Sequence, residues 1–329
     1  EPHGRRREAR GVGRPRTPTP AEGVRDVLPP SIRVFERGWL SSNNVLLFDD
    51  DGRATLVDTG YVTHREQTRE LVRHALQGRP LARIVNTHLH SDHCGGNAEL
   101  QRAFGASIHI PPGHADAVAR WDEDELTFVA TGQQCERFTY DGLIEPGSEL
   151  RMGGCSWRVH AASGHDPHSI VLWAQEAGIL ISADALWGNG FGVIFPELEG
   201  ESGFAEQRSM LELIESLAPR LVIPGHGAPF TDVGAALQRA RARLDALSAS
   251  LERNARHAAR VLVKFYLLEV RKVALRDLVD HVAGARYFRV INERYFRMPF
   301  DEFVRRQVDE LVKSKAAVLD GGFVMDAGG

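Results

Sequence analysis

The sequence predicts a layered α/β domain that is followed by a mainly helical region. Between about residues 31 and 230, short apolar segments of strand length alternate with amphipathic segments of helical length, which is typical of an α/β domain. Beyond Pro229 the composition shifts to alanine, leucine, arginine and glutamate, which favours helix. The third observation is a cluster of histidines and an aspartate that begins at His88, and it indicates a metal-binding enzyme in the first domain.

Composition and charge narrow the class of protein. Apolar residues make up 43% and charged residues 26% of the 329 positions, as in ordinary folded soluble proteins. No segment approaches the ~18 consecutive apolar residues that a membrane span requires, and no secretory signal is evident. The net charge of −4 gives no electrostatic reason to expect nucleic-acid or membrane binding. The three cysteines are too few for a disulfide framework and fit a reducing compartment, so the sequence predicts a cytoplasmic protein.

Residues 1–30 are predicted to form a disordered N-terminal tail. They offer little to bury and contain many arginines among glycine and proline, namely Arg5, Arg6, Arg7, Arg10, Arg14 and Arg16. Such a cluster can bind phosphates, but a solvated tail is the simpler interpretation. The predicted regions are therefore a tail over 1–30, an α/β domain over 31–230 and a mainly helical domain over 231–329.

The strands and helices of the α/β domain follow in chain order from apolar periodicity and from glycine at their ends. The predicted strands are Ile32–Phe35, Asn44–Phe48, Ala54–Val57, Ala82–Asn86, Ser107–Ile110, Glu149–Met152, Ser156–Ala161, Ser169–Trp173, Ile179–Ser182 and Leu221–Ile223. The predicted helices are Thr63–Leu76, Gly96–Phe104 and Phe204–Leu217.

The C-terminal region is predicted to consist of helices and a hairpin. Ala235–Leu268 reads as one long helix or two, and Val273–Val282 and Phe300–Lys313 read as further helices. Ala316–Met325 can form a hairpin around Asp320-Gly321-Gly322. Helices followed by a hairpin suit a small winged-helix-like module.

The segment Asn86–Gly96 carries the central motif, between a buried strand and a helix. Its candidate metal ligands are His88, His90, Asp92 and His93. Imidazole and carboxylate are the usual ligands of metals such as zinc. His88 and His90 stand two positions apart in an extended segment, so their side chains point to the same side. Asp92 and His93 come where the chain turns into the helix, and they can therefore face a second point nearby.

This run resembles the His-x-His-x-Asp-His signature of the metallo-β-lactamase superfamily, and the resemblance spans roughly residues 31–230. Four further motifs occur in the family's order and spacing, namely Asp58-Thr59-Gly60, Ser163-Gly164-His165, Ser182-Ala183-Asp184 and Pro224-Gly225-His226. The resemblance implies a four-layer αββα sandwich, with the mainly helical region as a C-terminal extension.

The resemblance also implies the metal ligands. Two sets of three are expected, His88, His90 and His165 for one metal and Asp92, His93 and His226 for the other. Asp184 would lie between the two metals as a shared ligand. Asp58 would support the site from behind the ligands. His168 could do the same as the acceptor of an imidazole N–H, although a plain turn residue is an equally good interpretation.

A site of this composition indicates catalysis rather than a structural role. Structural zinc is usually closed by four protein ligands and rich in cysteine, whereas shared histidine and aspartate ligands leave room for a water. Two cations ~3.5–4 Å apart lower the pKa of that water and polarise the oxygen under attack, which predicts a hydrolase that uses a hydroxide held by two metals. Asp92 could also orient that hydroxide or move its proton. Zinc is the expected metal, and iron or manganese would suit the same ligands.

The hydroxyacylglutathione hydrolase (glyoxalase II) branch is the most similar, because aspartate rather than cysteine stands at the bridging position. It implies hydrolysis of a carboxylic thioester or ester. That branch commonly follows its last histidine with an acidic residue and an aromatic, whereas Gly227-Ala228-Pro229 follows His226 here. A lactonase is the alternative, although the tyrosine that lactonases often carry after the bridging aspartate is missing from Ala185–Asn189. A di-iron redox protein on the same scaffold ranks third, since such proteins usually carry glutamate where His90 stands.

The predicted partner is a small molecule with an ester or thioester carbonyl. Neither a membrane nor a nucleic acid is expected as a partner. The C-terminal region could cover the pocket or form the contact of a homodimer, and the sequence leaves both alternatives open.

Overall fold

The computed structural model describes residue 24 and residues 27–328. The predicted disordered tail over 1–30 therefore lies largely outside the described residues. At the described end of this segment, Val27 and Leu28 pack against the apolar core between the two sheets of the first domain. The folded domain thus begins before residue 31, where the sequence places its boundary.

The first sheet has six strands in the order β1-β2-β3-β4-β5-β6. They are Ile32–Phe35 (β1), Asn44–Phe48 (β2), Ala54–Val57 (β3), Leu81–Val85 (β4), Ser107–Ile110 (β5) and Gly142–Leu143 (β6). Strands β1, β2 and β3 pair antiparallel, and β3 to β6 pair parallel. Every residue of β2 and β3 is buried, because both faces of the sheet are covered at this point.

The second sheet has five strands in the order β11-β10-β9-β8-β7. They are Glu149–Met152 (β7), Cys155–Ala161 (β8), Ile170–Ala174 (β9), Ile179–Ala183 (β10) and Leu221–Pro224 (β11). Strands β10 and β11 pair parallel, and the remaining neighbours pair antiparallel. In β8 the exposed Ser156 and Arg158 alternate with the buried Trp157 and Val159, so one face of this strand looks to the core.

Helices cover the outer faces of both sheets. The helices of this part of the chain are Arg65–Leu76 (α1), Ser91–Cys94 (α2), Asn97–Phe104 (α3), Ala115–Arg120 (α4), Phe128–Thr131 (α5), Pro196–Glu199 (α6) and Phe204–Leu217 (α7). Side chains of α1 and α3 share a core with the first sheet, and those of α7 share one with the second. A separate core, which includes Leu47 and Trp157, lies between the sheets. The predicted four-layer αββα sandwich is confirmed.

The C-terminal region contains helices and a small sheet. Its elements are Val233–Ser248 (α8), Leu251–Val270 (α9), Leu275–Gly284 (α10), Arg286–Ile291 (α11), Phe300–Lys313 (α12), Lys272–Ala274 (β12), Ala317–Asp320 (β13) and Phe323–Asp326 (β14), with a π-helical turn at Asn292–Phe296. The small sheet has the order β12-β14-β13. Helices, one early strand and a final hairpin in this order are typical of a winged-helix module. Over the described residues, no helix is long and apolar enough to cross a membrane.

The structure corrects one predicted helix and qualifies one predicted boundary. Val273–Val282 was expected to be helical throughout, but β12 occupies its start and pairs with β14, and the helix begins at Leu275. Helix α8 begins just after the predicted domain boundary, yet its Leu237 and Leu244 share a core with Leu180 and Leu211 of the sandwich. The first C-terminal helix is therefore packed as part of the α/β domain.

Candidate metal centre

The candidate ligands follow the carboxyl ends of buried strands. Strand β4 ends at Val85 and leads into the His88 segment, while β10 and β11 end directly before Asp184 and shortly before His226. His165 lies in the connection between β8 and β9. Because the strands of both sheets deliver these residues to the same edge of the sandwich, all seven predicted ligands lie together in three overlapping groups that could hold metal ions.

The first group consists of three imidazoles. The ring nitrogens of His88, His90 and His165 that could bind an ion lie within 4.8 Å of one another. His165 Nε2 lies 2.8 Å from His90 Nδ1. One ring nitrogen of each of these three residues therefore lies close to those of the other two.

The second group contains Asp92, His93 and His226, whose candidate ligand atoms also lie within 4.8 Å of one another. Asp92 Oδ2 is 3.0 Å from His226 Nε2 and 3.9 Å from His93 Nε2. A carboxylate with two imidazoles gives this point more negative charge than the first group has.

Asp184 lies between the two groups. Its Oδ2 is 3.4 Å from His165 Nε2 in the first group, and its Oδ1 is 3.3 Å from His93 Nε2 in the second. The two oxygens of one carboxylate thus face different groups. The absence of a side chain at Gly225 permits this position, since a Cβ there would lie 2.2 Å from Asp184 Oδ1.

Two buried nitrogens test whether the cluster fits metal ions. His88 Nε2 and His93 Nε2 have no hydrogen-bond partner among the described residues, although both atoms are buried. Leaving such an atom unpaired costs about 1–3 kcal/mol, so a buried nitrogen normally has a partner. Coordination of a cation by these nitrogens would supply one. The donor set of imidazole and carboxylate suits zinc, iron or manganese.

Asp58, the predicted supporting residue, contacts His93 on the side of the ring away from the other candidate ligands. Its Oδ2 accepts a hydrogen bond from His93 Nδ1 at 2.8 Å. Thr87 holds the carboxylate in turn, because its N–H donates to Oδ1 at 2.9 Å and its hydroxyl donates to Oδ2 at 2.7 Å. With Nδ1 fixed as the donor, Nε2 of His93 is free to face the site. Asp58 itself has a φ of +58°, a left-handed conformation that aspartate and asparagine tolerate better than most residues.

His165 and His90 have acceptors of their own. His165 Nδ1 lies 2.5 Å from the Val193 carbonyl, to which it can donate. His90 Nε2 lies 3.5 Å from Asp166 Oδ2, and Asp166 is buried. Asp166 was not identified from the sequence, although its position directly after a predicted ligand in Ser163-Gly164-His165-Asp166 is a signal that could have indicated it.

Among the residues that the structure describes, the imidazole of His168 makes no hydrogen bond to a candidate ligand, as its predicted supporting role would require. Its imidazole lies against His114, with ring centroids 4.4 Å apart. Only its backbone N–H reaches the site, where it donates to Asp166 Oδ1 at 2.6 Å. His168 therefore positions Asp166 through the backbone, and the side chain next to His90 is that of Asp166.

The electrostatics of the cluster favour a cation. Burial by itself would raise the pKa of Asp184, but His93 and His226 hold it well below its usual value. Burial would lower the pKa of His93, but Asp184 and Asp58 outweigh it and hold that pKa well above its usual value. The carboxylates thus favour positive charge at this point, which a divalent cation would supply.

A cavity of about 620 Å³ opens beside the cluster. Trp39 and Trp187 form part of its wall, and the Trp39 ring stacks on His226 with centroids 5.5 Å apart. Trp187 Nε1 donates to Asp184 Oδ1 at 3.2 Å. Trp187 lines the cavity, whereas Phe191 is fully buried in the adjoining core.

Comparison with known proteins adds an independent line of evidence. A family model described as the metallo-beta-lactamase superfamily matches residues 37–226. A hydroxyacylglutathione hydrolase from Anaeromyxobacter dehalogenans is 30% identical over 160 residues, which cover 48% of this chain and 52% of that protein. Hydroxyacylglutathione hydrolase GloC from Haemophilus influenzae is 25% identical over 218 residues, which cover 62% of this chain and 93% of that protein. The chain spans about half the length of the first curated relatives that it matches.

Solved structures extend the likeness beyond the matched family segment. A beta-lactamase domain protein from Burkholderia ambifaria superposes with a TM-score of 0.55 at 23% identity and covers 91% of this chain and 92% of its own. A metallo-beta-lactamase family protein from Thermus thermophilus gives a TM-score of 0.54 at 19% identity and covers 91% of this chain and 99% of its own. At these identities the likeness shows the fold alone.

Proposed function

We propose that this chain hydrolyses a carboxylic thioester or ester of a small molecule. The premise is that the chain belongs to the metallo-beta-lactamase superfamily and is a metallohydrolase. The observation that carries the proposal is the convergence of five imidazoles and two carboxylates into overlapping groups of candidate ligands. These side chains come from four separate segments of the chain, so a chance cluster is a poor explanation.

We assign the ligands from this geometry. His88, His90 and His165 would hold one metal, and Asp92, His93 and His226 the other. Asp184 would contribute one carboxylate oxygen to each, because its two oxygens face different groups. Asp58 and Asp166 would fix the orientation of His93 and His90.

The chain's own residues prepare the site for attack on a carbonyl. Two divalent cations, which we propose to be zinc, would lower the pKa of a bound water towards 7 and polarise the carbonyl oxygen. Asp92 lines the cavity and contacts His226 through Oδ2, and we propose that its carboxylate orients the water and accepts its proton. The aromatic side chains of Trp39 and Trp187 limit the access of bulk water from one side.

Two further observations support a thioester or ester substrate. Several of the relatives carry the name hydroxyacylglutathione hydrolase, which denotes thioester hydrolysis in those proteins. The cavity wall next to His90 and His165 includes Val193 and Phe195, and these apolar side chains suit an acyl chain.

Metal analysis combined with a turnover screen tests the proposal. The purified full chain is loaded with zinc, iron or manganese and offered an acyl thioester, its oxygen ester, a lactone of similar size and a phosphodiester. We expect two bound metal ions per chain and the fastest turnover on the thioester or ester. Turnover of the lactone alone would favour a lactonase. Cleavage of the phosphodiester alone, or iron binding with oxygen consumption, would contradict the proposal.

A further inference from the structure

The cavity beside the metal centre has a second polar region that the proposed reaction does not use. Helices α8 and α9 contribute Arg243, His257 and Arg260 to its wall. No metal-ligand motif includes these residues. The surrounding wall is apolar and includes Val261, Leu262, Phe265 and Leu268.

Arg260 has no partner for its charge in the described part of the chain. Its Nε is buried and makes no hydrogen bond there, and no carboxylate lies within 4.0 Å of its guanidinium. Arg256, one turn earlier on the same helix, shows the ordinary alternative, because it pairs with Glu252. The lack of a partner is thus a property of the cavity-facing position and not of helix α9 as a whole.

The charge of Arg243 also lacks an acidic partner in the described part of the chain. Its guanidinium lies over the Phe191 ring, 5.3 Å from the centroid, and no carboxylate of the described chain lies within 4.0 Å. Its Nη2 is 2.7 Å from His257 Nε2. Since arginine can only donate, His257 must accept here and be neutral. Burial and, to a lesser extent, the charges of Arg243 and Arg260 together lower the pKa of His257 to about 3, which agrees with a neutral ring.

Lys264 shows that a positive charge in the cavity wall can have an acidic partner. It also lines the cavity, but its ammonium pairs with Asp326 and donates to the Ala316 carbonyl at 2.8 Å. Its ammonium therefore has a carboxylate partner, which it shares with Arg271. Arginine stays protonated at any physiological pH, so Arg243 and Arg260 remain two partly buried positive charges that still lack an anion.

We infer that Arg243 and Arg260 form an anion-binding subsite for the substrate, in which they bind a carboxylate or phosphate group. The inference rests on the proposed function and specifies its substrate: a thioester or ester whose scissile carbonyl lies at the metal centre and whose apolar chain leads to an oxyanion. Guanidinium groups suit this role because they donate paired hydrogen bonds to such oxyanions. His257 keeps the Arg243 guanidinium oriented without adding a competing charge.

A binding experiment tests the subsite independently of catalysis. Glutarate and inorganic phosphate are titrated separately into the metal-loaded full chain by calorimetry, with Arg243→Met, Arg260→Met and Arg260→Lys as variants. Arg241→Met and Arg256→Met are the matched controls, because these arginines lie on the same two helices and pair with Glu215 and Glu252. We expect each Met variant to bind the preferred anion about tenfold more weakly, the lysine variant to lie in between, and the controls to match the wild type.

A kinetic experiment measures the same preference during turnover. Nitrophenyl monoesters of dicarboxylic acids of increasing chain length are compared with neutral esters of equal length. The wild type is expected to prefer one length of the anionic series, and the ratio of anionic to neutral kcat/KM is expected to fall about tenfold in Arg260→Met. Phosphorylated esters form the second arm and show which oxyanion is preferred.

The possible failures can be separated. Weaker anion binding in the Met variants, without hydrolysis of any ester or thioester, would retain the subsite and overturn the proposed function. Hydrolysis with equal anion affinity and an equal anionic-to-neutral ratio in all the variants would retain the function and overturn the subsite. Arg243 packs on Phe191, and if Arg243→Met does not fold, the anion affinity and the anionic-to-neutral ratio of Arg260→Met alone test the subsite.

Discussion

The two halves of the molecule differ in how their buried charges are balanced. In the sandwich, the charged groups of the metal centre face one another, since Asp58 contacts His93 and Asp184 lies between the two groups of imidazoles. In the region after residue 230, α8, which packs on the sandwich, and α9 place Arg243 and Arg260 in the cavity wall without a carboxylate in the described chain. The first arrangement favours the binding of cations, and the second favours the binding of an anion.

Under the two proposals, the sandwich would carry out the reaction, and the C-terminal helices would help to select the substrate. The candidate ligands and the residues that contact them all lie before residue 227, so the proposed reaction would take its ligands from the sandwich alone. The C-terminal helices contribute cavity wall and charge but no candidate ligand. Changes in the sandwich should therefore alter metal content and turnover. Changes in the C-terminal helices should alter the free energy of unfolding and the preference for one substrate over another.

Phe303→Ala gives the largest expected effect and tests whether the C-terminal half can be weakened without loss of the metals. Phe303 is fully buried in the C-terminal core and contacts Phe288 and Phe296. Removal of its ring should lower the free energy of unfolding by roughly 3–5 kcal/mol. Urea unfolding measures this loss. Metal content per folded chain should stay unchanged, and metal loss from a protein that is still folded would contradict the separation. Phe323→Ala, at a side chain that is 41% exposed, is the control.

Asp184→Asn tests the shared carboxylate in the sandwich. The amide keeps the shape of the side chain but removes the charge between the two groups. We expect loss of at least one metal ion per chain and a fall in turnover on the order of 10²–10³-fold, as for other electrostatic contributions at a reacting centre. Elemental analysis and steady-state kinetics measure the two effects. Asp245→Asn, an exposed partner of Arg208, is the control. Full metal content with full turnover would make the bridging assignment wrong.

Asp58→Asn should have a smaller effect, because Asp58 acts through His93. Asparagine tolerates the left-handed backbone at this position, so the fold should persist. The imidazole would lose its anionic acceptor, and metal affinity should fall by roughly 10–100-fold. Competition with a chelator measures the affinity, and the exposed Asp50→Asn serves as the reference. An unchanged affinity would show that Asp58 stabilises only the loop that contains Thr87.

Much of the fold could be predicted because local patterns determine it. The bounds of β1, β2, β3, α7 and α12 agree with their predictions, since each has a clear apolar period and a turn residue nearby. Strand β12 could not be predicted in this way. Its hydrogen bonds go to β14, far away along the chain, and Lys272-Val273-Ala274 has too little periodicity to distinguish a strand from the start of a helix.

The residues of the candidate site also differ in whether the local sequence could reveal them. His88, His90, Asp92 and His93 could be identified as candidate ligands because closely spaced histidine and aspartate are rare without a metal. The other three candidates followed only from the resemblance to the family's motifs. Asp166 was missed: its position directly after His165 is a signal, but its approach to His90 depends on the path of the connection after β8. The two cavity arginines were also missed. They are two of many arginines on α8 and α9, and only the packing shows that Arg241 and Arg256 have acidic partners while Arg243 and Arg260 have none in the described chain.

Trp187→Phe gives the smallest expected effect and tests the junction between the halves. Trp187 donates to Asp184, while Arg239 of α8 donates to the carbonyl of the adjacent Gly188 at 2.9 Å. Phenylalanine keeps a ring against His226 but removes the donor. We expect full metal content and turnover reduced by roughly fivefold, the equivalent of one hydrogen bond of about 1 kcal/mol. Trp39→Phe is the matched control, because Trp39 also stacks on His226 but makes no hydrogen bond through its indole in the described chain. Equal kinetics for the two variants would mean that the indole donor does not position Asp184, and that the C-terminal half touches the metal centre through packing alone.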